Sequence, residues 1–143
     1  MTSTVVGKVL EAGLVVLYIG LVTTALFGGV VPGYRATAGD AVADRTLATA
    51  AERIQQAVPS AGRSVSVDHR LALPGTIAGA AYRIEAHDRT LYLVHPNPAI
   101  DGRTRLALSP AVVSVRGRWE SGASTRIVVE RVPDGLAVRL VER

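Results

Sequence analysis

Residues 12–31 read AGLVVLYIGLVTTALFGGVV, a run of 20 residues without a charged side chain. At 1.5 Å per residue, a helix of this length spans about 30 Å, the thickness of the hydrocarbon core of a bilayer. A domain of this size cannot cover a helix that is apolar on every side, so burial in a protein core explains the run poorly. We therefore predict a single transmembrane helix at 12–31.

The flanks of this run favour a permanent anchor over a cleaved signal peptide. A secretory signal has a basic start, an apolar core of about 7–15 residues and a small-residue cleavage site. Here the apolar run is longer, and Lys8 is the only basic residue before it. Because Arg35 and Arg45 follow the run, charge alone leaves the orientation open. The predicted division is a short N-terminal segment at 1–11, a membrane helix at 12–31, a linker at 32–39 and a folded domain at 40–143.

Both ends of the apolar run carry alternative interpretations. Glu11 precedes the run by one residue. It is either an interfacial carboxylate favoured by the dipole at the helix N-terminus or a partner for a charge on a neighbouring subunit, and it is our candidate for subunit pairing. At the other end, Gly29 and Gly33 have the small-xxx-small spacing of packed membrane helices. Pro32 lies between them, and a kink or a helix end at this proline is the simpler explanation.

The rest of the chain predicts an α+β domain. Between Asp40 and Val58, apolar residues recur at helical spacing, Asp40 is a suitable N-cap, and Pro59 ends the pattern. A single apolar stripe implies that this helix packs against a sheet. Strand patterns follow, with turn signals about every 8–15 residues, which predict antiparallel strands joined by hairpins. The predicted fold is therefore a membrane helix, an amphipathic helix and an antiparallel β-sheet.

The strand patterns also predict particular neighbours. A two-residue loop at 88–89 would pair Ile84 with Leu93 and Tyr82 with His95, which keeps the apolar side chains on one face.

Strands are also predicted before and after this hairpin. Residues 64–73 alternate between apolar and polar side chains and predict the first strand. Later in the chain, Val113, Val115 and Trp119 share one phase and predict a strand that turns at 121–124. This phase places Trp119 in the core rather than on a binding surface.

No pattern for catalysis, metal binding or cofactor binding is present. Glu85 and Glu130, the carboxylates that could act as a pair, lie on polar faces of strands. Asp68 and Asp88 each adjoin a histidine, but neighbours in a strand point to opposite faces. Cysteine is absent, which excludes thiolate metal sites and disulfides. We expect no enzyme activity, no catalytic residue, no metal ligand and no cofactor, and a structural role for the three histidines, His69, His87 and His95.

The net charge of +4 is the balance of 15 arginines and a single lysine against 12 acidic residues. The arginines are scattered and mostly alternate with apolar residues, as on the solvated faces of strands. The alternative is an anionic partner such as lipid headgroups, a surface polysaccharide or nucleic acid. No aromatic stacking platform accompanies the charges, so we expect no nucleic-acid partner. No small-molecule substrate is evident either.

Four segments after residue 35 carry a family resemblance. In these segments the chain resembles small uncharacterised pilin-like membrane proteins of halophilic archaea, and more generally type IV pilins and pseudopilins. The segments are AGDAVADRTLATAAERIQQAVP (38–59), LPGTIAGAAYRIE (73–85), LYLVHPNPAIDGRTRLAL (91–108) and RWESGA (118–123).

The resemblance implies a structural role at the cell surface. The first helix would be embedded in the membrane and would then pack with the helices of other subunits in a filament or pseudopilus, with the domain outside the cell. If a prepilin peptidase cut after Gly7, Glu11 would lie one position earlier in the mature chain than the glutamate of bacterial pilins. No basic residue precedes Gly7, which also differs from typical pilin precursors.

Together these inferences predict a single-pass protein of the cell membrane with an extracellular C-terminal domain. Its expected function is that of a pilin-like structural subunit of a surface filament or of a secretion or adhesion apparatus. Its expected partners are membrane lipid and other pilin-like subunits, contacted through the N-terminal helix. The alternative is a non-polymerising, membrane-anchored module that binds or scaffolds a partner.

Overall fold

The computed structural model describes residues 2–59 and 71–143. Its internal contacts divide the chain into two compact units, Met1–Arg35 and Ala36–Arg143. The first unit is helical, and the second contains further helix and a six-stranded sheet. The predicted α+β fold class is therefore confirmed.

The helical part of the chain has no interruption before residue 57. Helix α1 (Thr2–Ala25) is followed by a π-helical turn (Leu26–Val30) and then by helix α2 (Val31–Ala57). Helix α2 runs through the predicted linker at 32–39, so this stretch is helical. The division between the two units does fall within this stretch, after Arg35.

The π-helical turn explains why the helix does not end at Pro32. A proline has no N–H to donate, and its ring clashes with the carbonyl four residues earlier. Just before Pro32, the Val31 N–H donates to the Leu26 carbonyl oxygen, five residues back rather than four. The hydrogen bonds just before Pro32 therefore have π-helical rather than α-helical spacing. This local change accommodates a residue that has no N–H to donate and whose ring needs space. Of the two interpretations of Pro32, a kink or a helix end, the helix end is wrong, because α2 continues through this residue.

Helix α2 buries one side in the core of the second unit. Leu47 and Ile54 are its large buried residues, and the other buried positions are small: Gly39, Ala43, Thr46, Ala50, Ala51 and Ala57. Small side chains let the helix backbone lie close to its neighbours. A Cβ on Gly39, for example, would lie 2.7 Å from Cδ1 of Ile100. The predicted amphipathic helix is confirmed, with an earlier start at Val31.

The six strands form one sheet in the order β3-β2-β1-β4-β6-β5. A 3-10 helix (Pro98–Ile100) lies between β2 and β3 along the chain. The strands are β1 (Arg83–His87), β2 (Thr90–Val94), β3 (Gly102–Arg105), β4 (Val112–Glu120), β5 (Thr125–Val132) and β6 (Gly135–Glu142).

The sheet is antiparallel except at one pair of strands. Strand β6 lies between β4 and β5, parallel to β4 and antiparallel to β5. Residues 121–124 therefore cross two strand spacings, about 10 Å, instead of closing the predicted hairpin. The expectation of a wholly antiparallel sheet is wrong here, because the insertion depends on long-range pairing that no local pattern reports.

The β1–β2 hairpin has the predicted loop and register. Ile84 lies opposite Leu93. Asp88 and Arg89 have φ values of 46° and 61°, the left-handed conformations that a two-residue type I′ turn requires. The described ladder ends one residue before the predicted Tyr82–His95 pair.

Strand β4 departs from a regular pattern at two places. Its register against β6 shifts after Val112, so Val112 lies in the core, whereas Val113 is 49% exposed and its predicted core position is wrong. Trp119 is 1% exposed, and its predicted core position is confirmed. At Gly117, where φ is +116°, an added Cβ would collide with the backbone carbonyl of Leu140, so the position requires glycine.

The predicted strand at 64–73 is only partly testable. Residues 64–70, with His69, lie outside the described residues. Leu71 and Leu73 are half-buried against the core but belong to no strand.

Candidate functional site

The largest apolar surface of the described chain belongs to α1. None of the residues of this helix is buried, and Leu10, Leu14 and Leu17 are each about 70% exposed. Contiguous apolar surface of this extent marks contact with a membrane or with another protein. Within the part of the chain that the structure describes, the helical run Thr2–Ala57 is the one helix long and apolar enough to cross a membrane.

The hydroxyl of Thr24, a polar residue of the apolar stretch, is satisfied within the helix. The Thr24 hydroxyl donates to the Gly20 carbonyl oxygen at 2.8 Å, the bond within the helix that is expected of a threonine in hydrocarbon. Helical hydrogen bonding satisfies the backbone of α1, which a segment in lipid requires.

The candidate pairing residue Glu11 lies on α1 and is exposed. Within residues 2–59 and 71–143, its carboxylate forms no ion pair. Gly29 lies in the π-helical turn and Gly33 in α2, and a Cβ at either position would meet nothing within 4 Å. Pairing of Glu11 with a neighbouring subunit stays a prediction.

His95 has a structural role in the loop that joins β2 and β3. Its Nε2 lies 2.8 Å from the Ile77 carbonyl oxygen, and its Nδ1 accepts a hydrogen bond from the Asn97 N–H at 2.9 Å. A neutral ring with the proton on Nε2 satisfies both contacts. The backbone N–H of His95 donates to Asp101 Oδ1 at 2.6 Å. Through its ring and its backbone, His95 therefore holds the two ends of the loop together.

His87 and Asp88 meet at the β1–β2 turn, contrary to the expectation that their side chains diverge. Nε2 of His87 lies 3.1 Å from Oδ2 of Asp88. The contact forms because Asp88 belongs to the turn rather than to the strand. Both side chains are more than three-quarters exposed, so water screens their interaction. The other histidine–aspartate neighbours, His69 and Asp68, lie outside the described residues.

The two candidate carboxylates do not form a pair. Glu85 is on β1 and Glu130 is on β5, and β4 and β6 lie between these strands. Each glutamate instead pairs with an arginine on its own face of the sheet: Glu85 with Arg83 at 2.7 Å and Glu130 with Arg139 at 3.1 Å. Neither pair is buried, so neither provides the dehydrated carboxylate that acid–base catalysis uses.

Tyr82 is a titratable residue with a strongly raised pKa in the described part of the domain. Burial raises the pKa of Tyr82 to about 12, and its hydroxyl donates to the Pro74 carbonyl oxygen at 2.6 Å. This contact ties the segment before β1 to the core and has no catalytic neighbour. Among the described residues, no group of three or more His, Asp and Glu side chains could hold a metal ion. The expected absence of enzyme activity and of a cofactor stays a prediction.

Arg89 has a structural role that the sequence pattern does not reveal. Its guanidinium donates to the carbonyl oxygens of Leu108, Ser109 and Val112. These three bonds hold the connection between β3 and β4 against the β1–β2 turn. One of the arginines predicted to be solvated is therefore a structural clamp.

The face of the sheet that points away from the core is strongly basic. In β1, β2, β5 and β6, buried residues mostly alternate with side chains on this second face, and in β3 the half-buried residues do so. In β4, Arg118 lies opposite Glu85 and shares this face with it. We name this surface the arginine face. Its charged members in the described strands are Arg83, Arg103, Arg105, Arg116, Arg118, Arg126, Arg139, Glu85, Glu120 and Glu130.

A family model covers both the helix and the sheet. The family of unknown function DUF7266 matches residues 1–141. The chain belongs to this family. No curated protein and no solved structure matches the chain. For this DUF7266 protein, membership therefore assigns no activity, and its function has to be inferred from the two surfaces described above.

The apolar surface of α1 can be predicted from the sequence more directly than the arginine face can. The exposed apolar helix of this DUF7266 member is visible as a charge-free run. The arginine face is not, because its members come from strands that are neighbours only through the sheet order. The alternation of arginines with apolar residues does place them on solvated strand faces, but their arrangement across one sheet follows only from the strand order.

Proposed function

We propose that this DUF7266 protein is a membrane-anchored, pilin-like structural subunit. Helix α1 holds the chain in the membrane and then packs against the α1 helices of other copies, in a surface filament or a related secretion or adhesion apparatus. The observation that carries the proposal is a contrast within one helical run. Helix α1 buries none of its residues, whereas α2 buries eight of its own.

The membrane step is supported by the composition of α1 and the turn after it. Between Glu11 and Arg35 the chain carries no charge, and an uncharged helical stretch of this length can cross the hydrocarbon core. Charged side chains at both ends favour the two interfaces. Membrane lipid is thus the first partner of this helix.

The assembly step is supported by the glycines of α1. Gly13 and Gly20 are seven residues apart, which places them on one side of the helix. A glycine within a helix costs about 1 kcal/mol relative to alanine, and a Cβ at either position would meet nothing within 4 Å. In lipid, small residues permit close approach of a second helix. A shallow notch in the apolar surface beside Gly13 is lined by Leu10, Leu14 and Leu17, where a side chain from another α1 fits.

The first experiment measures the N-terminal mass of the native protein, purified both from host membranes and from sheared surface filaments. A mature chain that begins at Lys8 and is present in filaments supports the proposal. A chain that still begins at Met1 or Thr2 and is absent from filaments contradicts it. That outcome favours the alternative, a non-polymerising anchored module.

A second experiment maps contacts between copies in the membrane. Because the natural chain has no cysteine, single-cysteine variants give disulfides only between copies. Leu17→Cys lies on the glycine side of α1, and Val15→Cys is a matched control on the opposite side. We expect rapid crosslinking at position 17 and slow crosslinking at 15, with loss of the difference in a Gly13→Leu background. Equal rates at both positions would argue against specific packing.

A further inference from the structure

The arginine face carries more charge than its own carboxylates neutralise. On this face, ion pairs join Arg83 to Glu85 and Arg139 to Glu130. Four other arginines of the face form no ion pair with any described residue: Arg103, Arg105, Arg116 and Arg118. Like charges held side by side raise the local potential and attract anions.

These four arginines form two groups with a gap between them. Arg103 and Arg105 lie on β3, and Arg116 and Arg118 lie on β4. Strands β2 and β1 separate the two groups in the sheet order, so the groups are three strand spacings apart, about 14 Å. A ligand that engages both groups must therefore extend across the strands.

The residues within the gap are aromatic and acidic. Arg103 lies opposite Tyr92, Tyr92 opposite Glu85, and Glu85 opposite Arg118. One row across four strands thus reads cation, aromatic ring, carboxylate, cation. The side chain of Tyr92 is 37% exposed, so part of its ring is available to a ligand.

The gap is a shallow and widely open part of the surface. It is lined by Glu85, His87, Tyr92 and Arg118, with Ala86 and Gly117 beside them. A ligand that covers it and reaches both arginine groups runs across the strands, as one strand of a polymer does. This arrangement favours a chain-like ligand.

We propose that the arginine face binds an acidic polysaccharide. A sugar ring lies on Tyr92, ring hydroxyls donate to the Glu85 carboxylate, and the acid groups of neighbouring sugars pair with Arg103 and Arg118. Arginine suits this role because its guanidinium binds a carboxylate or sulfate through two parallel hydrogen bonds.

The central carboxylate distinguishes this ligand from nucleic acid. The Glu85 carboxylate accepts hydrogen bonds from hydroxyl groups, which a polysaccharide supplies at every ring, whereas the internal sugars of a DNA strand have no free hydroxyl group. Tyr92 provides one aromatic ring, whereas single-stranded nucleic acids are bound by several rings that stack successive bases.

The test uses the full chain in uncharged detergent micelles with polygalacturonate as the probe. Arg103→Gln/Arg118→Gln is compared with Arg45→Gln/Arg53→Gln, a control with the same charge change at exposed positions of α2. We expect the first variant to weaken binding about tenfold or more, and the control to weaken it less than twofold. Tyr92→Ala should weaken binding about two- to tenfold, and Tyr92→Phe should restore it.

Three results would overturn the proposal. The first is no binding of polygalacturonate at low salt, or equal binding of neutral dextran. The second is an equal loss of affinity in the two double variants, which would mean non-specific attraction. The third is tighter binding of single-stranded DNA or of anionic phospholipid vesicles than of polygalacturonate. Unchanged melting temperatures would establish that the variants are folded. This test does not depend on whether the chain polymerises.

Discussion

Helices α1 and α2 belong to one helical run but have opposite relations to their surroundings. From residue 12 onward, helix α1 is apolar on all sides and it buries nothing, whereas α2 is apolar on one side and buries that side in the core. Even their glycines differ: space around Gly13 is open, whereas Gly39 is in contact with Ile100. The comparison teaches that side-chain pattern, not helical conformation, determines which environment each helix requires.

The largest expected effect is on the packed helix. Leu47→Ala removes a side chain that is 2% exposed and should lower the free energy of unfolding by about 2–5 kcal/mol through lost burial and the cavity left behind. In the matched variant Leu17→Ala, the same change on α1 should leave the domain unaffected. Trp119, the single tryptophan, is 1% exposed, and its fluorescence during thermal unfolding reports the melting temperature of each variant. Equal melting temperatures for the two variants would break the comparison.

A charged substitution should have its effect on α1, through membrane insertion, rather than on the folded domain. Leu17→Arg places a cation at the sixth position of the 20-residue apolar run and should disfavour membrane insertion by up to about 3–4 kcal/mol. The expected result is release of the protein from membranes by alkaline carbonate, while Leu17→Met stays in the membrane pellet. Retention of Leu17→Arg would mean that α1 does not need a hydrocarbon environment.

High pH should act on the packed unit through Tyr82. Its folded pKa of about 12 is above the value near 10 of an unfolded chain. The stabilising contribution is therefore complete below pH 10 and is lost as the pH rises towards 12, by about 2–3 kcal/mol in total. Comparison of unfolding at pH 9 and pH 12 measures the loss. The Tyr82→Phe variant should lose less stability over this interval, and an identical loss would contradict the assignment.

The smallest effect concerns the glycines. Gly39→Leu has to displace Ile100 and should destabilise the domain by about 1–3 kcal/mol through overpacking. The matched change Gly13→Leu meets no neighbour in the single chain and should leave the melting temperature of the domain unchanged. A similar melting temperature for both variants would mean that α2 tolerates bulk as α1 does.

Local patterns were sufficient where neighbours in sequence determine the structure. The charge-free run predicts α1, and the residues around 88–89 predict a hairpin that pairs Ile84 with Leu93. The core position of Trp119 also follows from its phase. In each case, the interaction that decides the structure lies within one helix or between adjacent strands.

Other features depend on information that the local sequence does not contain. Pro32 lies within a helix because the preceding π-helical turn shifts the hydrogen-bond register, whereas proline alone predicts a helix end. Val113 is exposed because the register of β4 shifts after Val112. The two arginine groups on β3 and β4 have a gap between them because β2 and β1 lie between these strands in the sheet, and this order results from long-range pairing.

The place of β6 has a consequence for synthesis of the protein on the ribosome. Strands β1 to β5 emerge before β6. In the folded sheet, however, β4 and β5 are not hydrogen-bonded to each other, because β6 lies between them and pairs with both. Until residues 135–142 emerge, the nascent sheet is divided, and the apolar side chains that β6 later covers are open to the cell's chaperones. Folding of this domain is therefore late and depends on a pairing across the sheet, which is slow compared with formation of the helices.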